Sequence, residues 1–434
     1  MTFQNLKRKF KSRDATVGVL GLGYVGLPLA CEFARAGFSV TGFEVDASKV
    51  QSIQKGRSYI ADIDNEDLKD LVRRERLSAT TDFLKLRAMD AIIICVPTPL
   101  NKTKDPDVSF IDKAARKITR TLRRGQLIVL ESTSYPGTTR ESVQPLLEAT
   151  GLKTGKDFFL AFSPERIDPG NTRYRLSNTP KVVGGITPAC RDLTVTLYSQ
   201  IVKQVVPVSS AEAAELTKLL ENTFRAVNIG LVNEIMLICD KLGLNVWEVI
   251  EAAATKPYGF MPFYPGPGLG GHCIPIDPLY LSWKMKSLNF TARFIDLAGE
   301  VNSHMPEFVV EKISRTMNDR KKALKGSKIL ILGVAYKADI TDVRESPALD
   351  VIHLLRERGV NVSYHDPFVP SVMIGHVRLK GKPWSTSLLR SADAVVITTA
   401  HQSFPPDEIL RHAKLVIDTR NLMRGRTASH LVRL

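Results

Sequence analysis

The chain falls in the α/β class, with two doubly wound parallel sheets joined by one long helix. Three observations predict this. An apolar run, Thr16 to Leu20, leads directly into Gly21-Leu22-Gly23-Tyr24-Val25-Gly26, then a helical stretch to Ala36 closed by Gly37, then a second run, Ser39 to Phe43. From Ser209 to Leu242 there is no proline, and only Gly230 interrupts a helical pattern. From Ile329 onward, short apolar runs and helical segments alternate again. Such alternation gives parallel sheets covered by helices, so both units read as Rossmann-like.

Size and composition set the frame. With 434 residues, 44% of them hydrophobic, the chain can fill two or three domain cores. The pattern divides it into a basic N-terminal tail (1–14), a first α/β domain (15–208), a central helical region (209–320) and a last α/β domain (321–434). The tail carries Lys7, Arg8, Lys9, Lys11 and Arg13, lacks the apolar segment of a signal peptide, and reads as solvated or frayed. No apolar run approaches the ~20 residues that span a bilayer, so no membrane segment is expected. The net charge of +15 suits a surface that attracts polyanions or phosphorylated small molecules. Its bases are dispersed and not interleaved with aromatics, which argues against nucleic acid. Cysteines stand at 31, 95, 190, 239 and 273 with no CxxC pair, so neither a disulfide framework nor a metal site is suggested, and a reducing cytoplasm fits.

The opening strand, glycine turn, helix and second strand lead to Glu44. Gly21 and Gly23 permit a tight turn and close approach of a pyrophosphate, and Gly26 permits close helix–strand packing. Tyr24 and Val25 lie in the same turn. Glu44 would accept hydrogen bonds from adenosine ribose hydroxyls and repel a 2′-phosphate, favouring NAD over NADP. Further strands end in polar turns: Ala91 to Val96 before Pro97-Thr98-Pro99, and Leu127 to Leu130 before Glu131-Ser132-Thr133-Ser134-Tyr135-Pro136-Gly137. Ligands gather at the carboxyl ends of parallel strands, so both turns border the cofactor, although Ser132 and Thr133 read as plain turn-formers. Phe158 to Phe162 leads to Ser163-Pro164-Glu165-Arg166-Ile167-Asp168-Pro169-Gly170, where Glu165 is either a reacting carboxylate or a solvated loop acid.

The helix from Ser209 is apolar around much of its circumference (Leu216, Leu219, Leu220, Ala226, Val227, Leu231, Ile235, Ile238), which predicts burial between domains or subunits. Lys218 and Asn222, four apart, share one face. The stretch 256–271 is dense in aromatics, prolines and glycines, including Phe260 and Tyr264, and reads as a ligand-wrapping loop. Gly270-Gly271-His272-Cys273-Ile274-Pro275-Ile276-Asp277-Pro278 follows. It sets one thiol behind two glycines and ahead of a carboxylate. Cys273 is a covalent nucleophile if something lowers its pKa; a thiol beside a tight turn has the same local sequence. In the last unit, Ile329 to Leu332 precedes Gly333, with no GxGxxG, so this unit binds a nucleotide differently or only packs. Lys337 and Arg344 are its phosphate partners or plain surface cations.

In order and spacing, GLGYVGLP, VPTP, YPGTT, SPERIDPG, TKLLEN, GGHCIPIDP and AYKADITDVRESPA resemble the UDP-glucose/GDP-mannose dehydrogenase family over nearly the whole chain. The resemblance implies an N-terminal NAD domain, a central helical dimerisation region and a C-terminal domain for the nucleotide half of a UDP-sugar. SPERIDPG with PFYPGPGLGGHC is most similar to the branch acting on UDP-N-acetylhexosamines, UDP-N-acetylglucosamine 6-dehydrogenases above all, whose products enter polysaccharides. UDP-glucose and UDP-ManNAc remain alternative substrates. Where many relatives have threonine in an STVP-type turn, this chain has Ser134 before Tyr135-Pro136.

The implied reaction is a four-electron oxidation of a C6 alcohol to a carboxylate with two NAD. Water positioned by Asp277 and by Ser134 or Glu165 takes the alcohol proton, and Cys273 captures the aldehyde. Lys218 and Asn222 stabilise the oxyanion, and water activated by Glu165 or Asp277 hydrolyses the thioester. Pro97, Thr98, Ser134 and Arg344 are expected around the cofactor. Glu165, Arg166, Lys218, Asn222, Phe260, Tyr264, Gly270 and Lys337 are expected around the sugar nucleotide. A homodimer is implied. The nearest rival is a single-step hydroxyacid dehydrogenase, which needs no thiol.

Overall fold

The computed structural model describes residues 2–60, 63–101, 105–167 and 173–434; Asp168, Pro169 and Gly170 of the SPERIDPG segment lie outside them. The chain forms two compact units. One comprises Met1–Glu221 and Leu279–Phe290, the other Asn222–Pro278 and Thr291–Leu434.

The first unit carries β1 (Thr16–Leu20), β2 (Ser39–Phe43), β3 (Leu77–Thr80), β4 (Ala91–Ile94), β5 (Leu127–Leu130), β6 (Phe159–Phe162), β7 (Lys181–Gly185) and β8 (Val205–Pro207) in the order 3-2-1-4-5-6-7-8. Strands 1 to 6 are parallel; β7 runs antiparallel to β6 and parallel to β8. The order 3-2-1-4-5-6 is the doubly wound dinucleotide arrangement, with its switch point between β1 and β4. Every residue of β4, β5 and β6 is buried, as a sheet covered on both faces requires. Strand alternation sorts them: Val17, Val19, Ile93 and Val129 enter one apolar layer, and Leu20, Ile92, Ile94, Ile128 and Leu130 the other.

The expected frayed tail is instead a helix, Phe3–Ser12, with Leu6 and Phe10 fully buried against the helix Pro188–Tyr198. Phe3, Leu6 and Phe10 fall three and four apart and make one apolar stripe, which the surrounding cations mask in the linear sequence. Lys9 is paired with Asp90 at 2.9 Å.

The second unit carries β9 (Lys328–Leu332), β10 (Asn361–His365), the hairpin β11 (Ser371–Ile374) and β12 (Val377–Lys380), β13 (Ala394–Ile397), β14 (Val416–Asp418) and β15 (Leu431–Arg433). Its parallel sheet runs 10-9-13-14-15. That is the other common doubly wound order, with its switch point between β9 and β13. Val232, Met236 and Cys239 of the long helix and Met305, Val309 and Ile313 of the helix Arg293–Asp319 share a core with Ile329, Ile331 and Val396 of this sheet. Of the helical residues that sequence patterning sets apart, 222–278 and 291–320 therefore belong with the last unit's sheet, while 209–221 and 279–290 belong to the first unit.

The long helix is Ala211–Leu242, starting two residues past Ser209. Leu219 and Ala226 are buried, but Leu216, Leu220, Phe224, Leu231, Ile238 and Leu242 are exposed in the single chain. Among the described residues no helix is long and apolar enough to cross a membrane.

Candidate active site

The glycine turn after β1 is shaped by strand geometry. Gly21 sits at φ 87°, and a Cβ there would lie 2.4 Å from the Cys95 carbonyl oxygen across the switch point. A Cβ on Gly26 would lie 1.8 Å from the Gly21 oxygen. These two glycines are fixed by the protein itself. Gly23 differs, because a Cβ there would meet nothing within 4 Å. It leaves open space before the helix Gly26–Arg35, which has no side-chain cap on its first amides. Uncapped amides beside open space fit a pyrophosphate. Tyr24, in the same turn, is exposed. Glu44 is nearly buried: its carboxylate accepts from Leu22 N–H at 3.0 Å, Val45 N–H at 2.8 Å and Asp46 N–H at 3.3 Å, with Lys49 at 3.9 Å. A carboxylate offers about four acceptor directions. The backbone therefore orients Glu44 without exhausting it, and the turn fits NAD.

The strand-end turns are tied together. Ser132 Oγ accepts from Val96 N–H at 2.9 Å, joining the ends of β4 and β5, and is the turn-former the sequence suggests. Tyr280 Oη donates to the Thr98 oxygen at 2.9 Å, fixing the Pro97-Thr98-Pro99 turn. The Lys218 ammonium is buried and donates to Thr133 Oγ1. Thr133 thus supplies the hydroxyl that meets the lysine, not Ser134; the Ser134 hydroxyl is buried without a hydrogen-bond partner among the described residues. One turn earlier on the helix, Glu215 accepts from Gly137 N–H at 2.6 Å and from Thr139 N–H at 2.9 Å. Burial, incompletely offset by these donors, raises its pKa to about 7.

Glu165 lies in a buried ionic cluster. The Lys181 ammonium donates at 3.0 Å to both Glu131 and Glu165, and Tyr198 Oη donates to Glu131. Sequence reasoning missed Lys181, whose partners lie 50 and 16 residues away. Arg166 grips Glu221 through two nitrogens, at 3.1 and 2.6 Å, and donates to the Pro180 oxygen at 2.8 Å.

In the second unit, Asn222 Nδ2 donates to Asp277 Oδ2 at 2.6 Å, and Asp277 N–H donates to the Cys273 oxygen at 2.8 Å. The Cys273 backbone, the amide and the carboxylate are therefore tied together, and the helix Asp277–Lys286 starts as the loop ends. Cys31, Cys95, Cys190 and Cys239 are buried, whereas Cys273 is half-exposed. Burial raises the Cys31 thiol to about 12 and the Cys95 thiol well above its ordinary value, so neither is a nucleophile. Gly270, expected around the sugar nucleotide, and Gly271 make room for protein. A Cβ on Gly270 would lie 2.6 Å from Tyr336 Cβ, and Gly271, at φ 89°, lies against the Tyr336 ring. Phe260 and Tyr264 are partly exposed, and Tyr264 stacks on Trp247 with centroids 5.9 Å apart.

At the switch point of the second sheet, Arg420 Nε donates to the Thr398 oxygen at 3.0 Å. A Cβ on Gly266 would lie 2.3 Å from the Arg420 guanidinium, so the Pro265-Gly266-Pro267-Gly268 turn closes over it. Burial lowers its pKa to about 10, and no carboxylate among the described residues pairs with it. Nothing in the local sequence marks Arg420; only the sheet order brings it to the switch point. Lys337 is exposed, and Arg344 is held by Asp342 at 2.6 Å while its carbonyl accepts from Gly271 N–H.

An open glycine at the switch point of a 3-2-1-4-5-6 sheet, on a chain with a second doubly wound sheet, defines a dinucleotide-dependent oxidoreductase. The chain belongs to the UDP-glucose/GDP-mannose dehydrogenase family: the NAD-binding domain matches residues 15–202, the central domain 212–304 and the UDP-binding domain 330–425. It is an NAD-dependent enzyme of that family. It is 35% identical to the UDP-N-acetyl-D-glucosamine 6-dehydrogenase of Pseudomonas aeruginosa, over 90% of this chain and 92% of that protein. The UDP-D-ManNAc dehydrogenase of Pyrococcus horikoshii superposes with a TM-score of 0.88 at 34% identity, covering 96% of this chain and 98% of the other. The NDP-N-acetyl-D-galactosaminuronic acid dehydrogenase of Methanosarcina mazei Go1 superposes with a TM-score of 0.83 at 31% identity, covering 99% and 97%.

Proposed function

We propose that this enzyme oxidises the C6 alcohol of a UDP-N-acetylhexosamine to the carboxylate through a thioester on Cys273, with UDP-N-acetylglucosamine the first candidate substrate. The observation that carries the reading is the knot of Asn222, Asp277 and the half-exposed Cys273. A single-step alcohol dehydrogenase has no use for it. Bound NAD supplies the hydride acceptor for each oxidation.

The chain's own groups have these tasks. Asp277, oriented by Asn222, holds the water that takes the alcohol proton. Cys273 Sγ then bonds to C6 of the aldehyde, and the former carbonyl oxygen takes up the thiol proton. Asn222 and Lys218 donate to that oxygen as its charge develops. Loss of the remaining C6 hydrogen and of the hydroxyl proton gives the thioester. Water adds to C6, the C6–S bond breaks, and the carboxylate leaves with Cys273 restored. Glu165 activates that water. Arg420, a half-buried cation with no carboxylate paired to it among the described residues, is the binder of the nucleotide diphosphate. The exposed apolar side chains of the long helix support a second copy of the chain as their cover, in a homodimer.

The reading is tested by NADH stoichiometry across UDP-glucose, UDP-GlcNAc, UDP-GalNAc and UDP-ManNAc. Two NADH per product are expected, highest kcat/KM on UDP-GlcNAc, and no net turnover from Cys273→Ser. One NADH per product, or full turnover by that variant, overturns it; a preference for another epimer corrects the substrate alone.

A further inference from the structure

The buried cluster around Lys181 has more charge than a fold needs. Glu131 follows β5, Glu165 follows β6, Lys181 opens β7, and Tyr198 ends a helix behind the sheet. Their exposures are 1%, 8%, 4% and 0%. Apolar side chains of similar volume would hold such a place at least as well, so a buried ionic group calls for another reason.

Counting acceptors shows what the cluster does. Glu165 Oε1 receives Arg166 N–H at 2.7 Å and Ile167 N–H at 2.8 Å, and Oε2 receives Lys181 at 3.0 Å. Of the roughly four acceptor directions of a carboxylate, three are filled among the described residues. The one left is on Oε2, beside the ammonium. Glu131 has no backbone donor among the described residues; it takes Lys181 on one oxygen and the Tyr198 hydroxyl on the other. It therefore tethers Lys181 from behind. Charge is placed accordingly. Burial raises the Glu131 pKa more than Lys181 lowers it, whereas for Glu165 the penalty of burial is outweighed by Lys181 and the two amides, which lower it. Lys181 and the two amides thus favour the ionised form of Glu165.

We propose that Lys181, tethered by Glu131 and Tyr198, is a positioning residue for thioester hydrolysis: it fixes Glu165 as an oriented anion with one acceptor site left for the attacking water. This rests on the hydrolytic role given to Glu165 above. In the step, the water oxygen bonds to C6, its proton passes to Glu165 Oε2, the C6–S bond breaks to free the thiolate of Cys273, and Glu165 returns the proton to solvent.

The test uses the full chain with NAD and UDP-GlcNAc, or whichever UDP-sugar the panel selects, reading kcat against pH and the acid-trapped thioester. Glu165→Gln and Lys181→Met should each lower kcat about 30-fold or more, within the range of general-base catalysis, with thioester accumulating. Lys181→Met should also move the acidic limb of kcat upward by about one pH unit, since Glu165 loses its cation. Lys181→Arg should restore most of the rate. In the Glu165→Gln background, Lys181→Met should cost no more than about twofold further. If Lys181→Met fails to fold, Glu131→Gln/Lys181→Met, which removes the buried charge together with its tether, gives the same readouts. A Glu165→Gln enzyme with full kcat sinks the role of Glu165 and the inference with it. If Glu165→Gln is slow, the inference alone is overturned by multiplicative losses in the double variant, by a Lys181→Met enzyme with full kcat, or by an unmoved acidic limb.

Discussion

The two sheets share one device and put it to different ends. In the first, Gly21 at φ 87° donates to the Phe43 oxygen at 2.8 Å, and the acid after β2, Glu44, receives Leu22 N–H. In the second, Gly333 at φ 85° donates to the His365 oxygen at 2.9 Å, and the acid after β10, Asp366, receives Val334 N–H at 2.7 Å. The same turn follows the first strand of both. The surroundings differ. Gly21 and Gly333 are both closed in, a Cβ lying 2.4 Å from the Cys95 oxygen at the one and 2.4 Å from Thr399 at the other; but two residues on, Gly23 faces open space before an uncapped helix, whereas Ala335 is buried. Asp366 also receives Ala335, Phe368 and Val369 N–H groups and the His401 ring at 3.0 Å. A strand-end glycine followed by an acid is thus a folding element. What marks a cofactor turn is the empty space beside it. In the second sheet, protein fills that place, and Arg420, which no carboxylate pairs among the described residues, stands past β14 against the end of β13.

The comparison can be broken in three ways. The largest effect should come from Asp366→Ala, which orphans four amides and a buried imidazole; a loss of about 3–5 kcal/mol is expected in urea denaturation. A loss below about 1 kcal/mol would show that Asp366 is no more structural than a surface acid. Next comes Glu215, the buried acid that secures the first sheet's Tyr135–Thr139 turn without a cation. Its folded pKa of about 7 lies above the ordinary 4.5, so the stability it contributes is full below pH 4.5 and is lost as pH rises through 7. That loss is on the order of 2–3 kcal/mol between pH 5 and pH 8, and Glu215→Gln should flatten it in paired denaturation curves. A variant with the same pH slope as the parent would remove Glu215 from this account. The smallest change is Gly23→Val. Stability should stay within about 0.5 kcal/mol, since the space is open, while the Kd for NAD measured by calorimetry rises about 30-fold. Unchanged NAD affinity would mean that the pyrophosphate lies elsewhere.

Most of the fold was legible because strands buried on both faces are continuous apolar runs punctuated by glycine or Pro-Thr-Pro, and because a helix of this length shows its period. The N-terminal helix was not, since three apolar residues among four cations leave a polar average even when they share a face. The candidate site was legible where it is local. Lys218, Asn222, Cys273 and Asp277 sit on two short motifs. Lys181 and Arg420 were not legible, because their meaning lies in partners brought by sheet order from distant segments. Thr133 was set aside for Ser134 because adjacent hydroxyls cannot be told apart until the backbone aims one of them at Lys218.

The boundary between the compact units is crossed by the chain at 221/222, at 278/279 and again at 290/291. Neither unit is one continuous stretch of polypeptide. The helix carrying Tyr280, which ties down the Thr98 turn, reaches its unit only after the chain has been through the other. A single proteolytic nick at any crossing leaves two covalent links intact, so cleavage there cannot liberate either half. Gene fragments cut at 221 would lack the segment that secures the cofactor-side turn. Chimaeras between relatives therefore need all three junctions taken from one parent.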